Sequence, residues 1–200
     1  MRVLAIILAI LLSAATTFAA EIREFDLKTI ERLGNELTRV SQQPDRGATD
    51  AVRKRAVETA KAALKGRLFN IHYDHVVLND PDGSGFLVYA LGANNKPNEV
   101  VLAGHFRVSV SADGNKAERV DALSRSLNVV PKQTDGNKKT EALWIIQLVS
   151  NKPVETFIYL SNLHNSPIYV GTSDRTIWKV ENGKVEIVRD KAHAPPLPKR

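Results

Sequence analysis

Between Glu24 and Ser41 the apolar residues Leu27, Ile30, Leu33, Leu37 and Val40 return every three or four positions, the spacing of one face of a helix. Asp26 stands where an N-cap is needed. Pro44 and Gly47 interrupt the pattern, and a second helix is predicted from Asp50 to Lys65 on a narrow stripe of Val52, Ala56, Ala60, Ala63 and Leu64. Its small side chains imply close approach to whatever it packs on. The opposite face carries Arg53, Lys54, Arg55, Lys61 and Lys65, a solvated basic surface whose last-turn lysines also complement the helix dipole.

Beyond Gly66 the pattern turns from helical to alternating. Strands are expected over Leu68–Leu78, Phe86–Gly92, Glu99–Ser111, Lys116–Ala122, Leu127–Val130, Ala142–Ser150, Val154–Ser161, Pro167–Thr172, Thr176–Glu181 and Lys184–Arg189. Turn signals separate several of them: Asp80-Pro81-Asp82-Gly83, Ala112-Asp113-Gly114-Asn115 and Asn182-Gly183. Asn-Gly between two alternating runs is a strong hairpin signal, because both central residues of that turn need positive φ. Helices first and many short strands afterwards predict an α+β fold, with N-terminal helices followed by antiparallel β-meander sheets. Residues 20–189 are read as a single domain with possible sub-units 20–130 and 141–189 on either side of the polar stretch Pro131–Thr140. The later part is small for a unit without staples, so a shared core is expected. The proline-rich, basic end from 190 to 200 reads as a flexible tail.

The first residues change the picture of where the chain acts. Arg2 precedes an apolar run from Val3 to Leu12, and small residues follow up to Ala19 and Ala20. That is the layout of a secretory signal peptide, residues 1–19, with cleavage after Ala19 favoured and after Ala20 as the alternative. The run is too short for a permanent membrane span, so the expected location is exported, periplasmic or extracellular. The chain has no cysteine, which excludes disulfides and a lipidated cysteine. Its formal charge of +6 falls by one when Arg2 leaves with the leader. This moderate excess favours an anionic envelope component or an acidic protein partner. Nucleic acid is not expected, since no nucleic-acid module is present.

Candidate chemistry concentrates in Ile71–Gly85, IHYDHVVLNDPDGSG. On a strand of period two, His75 shares a face with Phe69, Ile71, Tyr73 and Val77, while His72 and Asp74 share the other. His75 is thereby read as a core or boundary residue with a hydrogen-bond partner. His72 and Asp74 are the residues left for function. Two ligands on one face are too few for zinc, and others would have to come from His105, His164 or distant carboxylates. Asp80-x-Asp82-x-Ser84-Gly85 matches the first half of a calcium loop, but Leu91 stands where the bidentate glutamate belongs. The segment fits a proline-set turn better. No nucleophile elbow, phosphate loop, HExxH or dinucleotide fingerprint occurs, and no cofactor or metal is implied.

In Gly104–Ser126, Phe106, Val108 and Val110 alternate with His105, Arg107, Ser109 and Ser111. His105 and Arg107 on one face, with Lys116 and Arg119 across the turn, form a candidate cationic binding surface. Trp144, Tyr159, Tyr169 and Trp178 are expected in strands as packing residues; an exposed cluster of them would mark a glycan or protein-binding surface. The run Gly104-His105-Phe106-Arg107-Val108-Ser109-Val110-Ser111-Ala112-Asp113-Gly114 resembles the core of a group of small secreted bacterial proteins without assigned function, and the likeness transfers no catalytic residues. The order of elements is similar to that of PepSY and cystatin-like folds, many of which are inhibitory or binding modules, which is an analogy of layout. The expectation is an exported non-enzymatic binding protein, of inhibitor or immunity type, acting on an envelope partner. The alternative is an envelope hydrolase with a histidine/carboxylate site.

Overall fold

The computed structural model describes residues 22–93, 96, 98–131 and 142–189. The expected leader, the polar stretch after Pro131 and the expected tail lie outside these residues. Two helices come first, α1 (Leu27–Ser41) and α2 (Ala51–Leu64), each begun by an aspartate. Asp26 accepts from the Thr29 N–H at 2.7 Å and Asp50 from the Arg53 N–H at 2.9 Å, satisfying amides that the first turn leaves without partners.

Strands β1 (His72–Asn79), β2 (Phe86–Ala93), β4 (Phe106–Val110) and β5 (Ala117–Ala122) form an antiparallel sheet in the order β1-β2-β4-β5. The strand expected over 99–111 divides at Gly104, whose φ of +114° a side chain rarely adopts. Its first half, β3 (Glu99–Ala103), leaves the sheet and pairs with β6 (Asn128–Pro131). The second large sheet has the order β10-β9-β8-β7, from β7 (Leu143–Gln147), β8 (Ile168–Thr172), β9 (Ile177–Glu181) and β10 (Lys184–Arg189). Asn182 and Gly183 both have positive φ in the β9–β10 turn, as the hairpin signal required.

One expected strand is a helix. All of the expected strand Val154–Ser161 except its first residue, the N-cap Val154, falls in α3 (Glu155–His164), which links β7 to β8 as a parallel crossover. Phe157, Ile158 and Leu160 are buried, and so are Glu155, Thr156 and Ser161. Burial around nearly the whole helix leaves no polar stripe, so the helical period was not visible in the sequence.

The first sheet is covered on both faces. Ala56, Val57, Ala60 and Leu64 of α2 pack on Tyr73, Val77, Val88, Phe106 and Val108. On the other face Leu33, Leu37 and Val40 of α1 meet Val76, Leu78 and Leu91 in a larger cluster that also takes Phe157, Ile158, Val170 and Trp178 from the later part of the chain. Gly34 lets α1 and α3 approach closely: a Cβ there would lie 2.4 Å from that of Ile158.

Candidate functional site

Covering both faces of β1 reassigns the face of His72 and Asp74. Two and four residues further along, Val76 and Leu78 continue the same face into the core against α1. His72 and Asp74 lie where that face emerges. His72 Nε2 is 3.3 Å from Asp74 Oδ1, and Arg46 Nη1 pairs with the same oxygen at 2.6 Å. Asp74 and Arg46 line a cleft of about 310 Å³ with Glu99, Tyr159 and His164. Burial, and then the charge of Asp74, raise the pKa of Tyr159. Among the described residues no group of three or more histidines, cysteines, aspartates and glutamates is arranged to hold a metal ion. His75 keeps its assigned face, but its Nε2 is buried without the expected partner; burial and then Lys61 lower its pKa.

His105 and Arg107 do not form a cationic surface, because both are buried. The Gly92 N–H donates to His105 Nδ1 at 3.0 Å and Nε2 contacts the Val101 carbonyl at 3.2 Å. Nδ1 is therefore the acceptor and Nε2 carries the proton, fixing a neutral ring between β2, β3 and β4. Burial holds its pKa down at about 4.

Arg107 sits at the centre of a buried charge cluster. Its Nη1 donates to Glu155 Oε1 at 2.6 Å, and its Nη2 and Nε donate to Asp121 Oδ2 at 2.7 and 3.2 Å. Nη2 also donates to the Arg23 carbonyl, and Phe25 lies 4.7 Å below the guanidinium. The Tyr89 hydroxyl donates to Glu155 Oε1 at 2.9 Å. Burial by itself would lower the Arg107 pKa; the charges of Glu155 and Asp121 outweigh it and hold the group raised. Arg119 pairs with Asp121 at 2.6 Å, and Arg23 grips Asp80 through both oxygens at 2.6 and 2.7 Å and reaches Asp82 at 2.9 Å. The polar residues of the GHFRVSV run thus tie the segment before α1 and the start of α3 to the first sheet. Their work is structural.

The open surface lies elsewhere. Among the described residues strand β7 is an edge of the second sheet, with Leu143, Ile145 and Gln147 turned inward. Its other face presents Trp144, 59 % exposed, and Ile146, 67 % exposed, and Leu148 follows, also exposed. Trp144 stacks on Tyr169 of β8 at 4.6 Å between ring centroids, with 13° between planes. Gly171 leaves room for Ile146 beside it, since a Cβ there would lie 3.0 Å from Ile146 Cδ1. Between this edge and the Ser124–Asn128 turn runs a groove of about 370 Å³. Gln147 borders it, and its buried Nε2 has no hydrogen-bond partner among the described residues.

Reading by alternation missed this surface because LWIIQL is apolar on both faces. Of the four aromatics expected to pack in strands, Trp144 alone is exposed; Tyr169 and Tyr159 are half-buried and Trp178 is buried, so they do not form an exposed aromatic cluster. Family models, curated proteins and solved structures provide no match to this chain.

Proposed function

We propose that this chain is an exported, non-catalytic binding protein that docks on a protein partner of the envelope through the outer face of its second sheet. The observation that carries the reading is the exposed Trp144–Ile146 pair on an edge strand, with Trp144 stacked on Tyr169. Large apolar side chains at such exposure are concentrated in protein contact surfaces, where a flat indole contributes much area for little lost conformational freedom. An inhibitor or immunity-type role fits this arrangement, because a stiff sheet presents the surface without rearranging. The excess of basic residues favours an acidic partner.

The test is site-specific cross-linking in the producing cell. A photoreactive residue at position 146 should give one discrete protein adduct, whereas the same residue at exposed Glu118 of β5 should give none. Trp144→Ala combined with a probe at 148 should remove the adduct. Equal labelling from both positions, or an adduct to envelope glycan in place of protein, would overturn the reading.

A further inference from the structure

Resting on the reading that this face docks a protein, we infer that the partner contributes an extended segment that adds to the sheet as a fifth strand beside β7. The Leu143 N–H donates to the Pro167 carbonyl at 2.9 Å, which turns Leu143 toward β8. Backbone groups of successive strand residues point alternately to the two sides. Ile145 and Gln147 therefore also turn toward β8, and the N–H and C=O groups of Trp144 and Ile146 turn toward the groove. Among the described residues no strand pairs with that edge. An edge that exposes unpaired amides together with large apolar side chains is what an added strand requires.

A second observation in the same groove points to an occupant. Gln147 is 1 % exposed, yet its Nε2 has no acceptor among the described residues. A buried amide donor without a partner is destabilising, and an oxygen brought by an incoming segment would satisfy it. Among the described residues that line the groove, Arg125 alone carries a full charge. The segment is therefore apolar at alternate positions, where it continues the face of Trp144 and Ile146. It supplies a carbonyl or carboxamide oxygen to Gln147 and an acidic residue near Arg125.

The probe is a phage-displayed library of linear ten-residue peptides selected on the purified mature protein. Enriched peptides should show apolar residues at every second position with an acidic residue at one end. Methylating the backbone nitrogen of a selected peptide at alternate positions should weaken binding at least tenfold, with the intervening positions tolerant. Ile146→Pro should weaken it by a similar factor with the fold intact by circular dichroism, because an open edge tolerates a missing outward N–H. Gln147→Leu should lose about tenfold. Failure to enrich any peptide, or indifference to backbone methylation, would overturn strand addition; cross-linking from 146 to a folded partner would still support the docking face. Concentration-dependent dimers cross-linked through 146 would overturn it in favour of a second copy of the chain.

Discussion

Arg107 and Glu155, 48 residues apart in the chain, meet in the interior at 2.6 Å with about 1 % of each side chain exposed. This contact joins the central strand β4 to the first turn of α3, and Asp121, which also pairs with Arg119, accepts from the same guanidinium at 2.7 Å. Removing the cation leaves Glu155 without a cationic partner in a medium that solvates charge poorly, and Asp121 with Arg119 alone. Arg107→Met should cost about 3–5 kcal/mol, as for other broken buried pairs. Arg46→Ala, which breaks the partly exposed pair with Asp74, should cost less than about 1 kcal/mol. Urea unfolding followed by circular dichroism checks both, and equal midpoints for the two variants would refute the ranking.

His105 makes stability depend on pH. Its pKa is held at about 4 in the folded chain, against about 6.5 in an unfolded one. Between these values the unfolded chain binds a proton that the native ring does not. The contribution is complete above pH ~6.5 and falls away as the pH drops toward ~4, with a total on the order of 3 kcal/mol. His75, also lowered, adds in the same direction. His105→Gln should flatten the slope of unfolding free energy against pH in this window, and an unchanged slope would contradict the assignment.

The crossing of α1 and α3 depends on Gly34. A methyl group there meets the Ile158 Cβ at 2.4 Å and the Glu155 carbonyl at 2.8 Å, atoms that no change of rotamer can move. Gly34→Ala should destabilise by about 1–3 kcal/mol despite its better helix propensity. Trimming Ile158 to alanine in the same chain should bring no rescue, since its Cβ stays in place. Recovery of the thermal midpoint in that double variant would place the clash elsewhere.

Gln147 separates stability from binding. Replacement by leucine removes a buried amide that has no partner among the described residues and should raise stability by about 1 kcal/mol, while Trp144→Ala, at an exposed position, should change it by less than about 0.5 kcal/mol. Thermal melts of the two variants measure this directly. A destabilised Gln147→Leu would mean that the amide is engaged within the fold.

Local patterning alone determined both N-terminal helices and the Asp26 cap of the first, the Asn182-Gly183 hairpin, the turn at Asp80 and the α+β class, because helix periodicity, capping and positive-φ turns depend on neighbours a few residues away. It also separated His72 and Asp74 from His75. Tertiary structure alone decided that residues 155–161 are helical, that β3 leaves the first sheet, and that His105 and Arg107 are buried. A residue's exposure depends on what covers its face, and the groups covering these lie far along the chain: Glu155 for Arg107, and α1 for the far face of β1. The same holds for Trp144 and Ile146. On a strand that is apolar on both sides, only the assembled sheet determines which side meets the core and which is left for a partner.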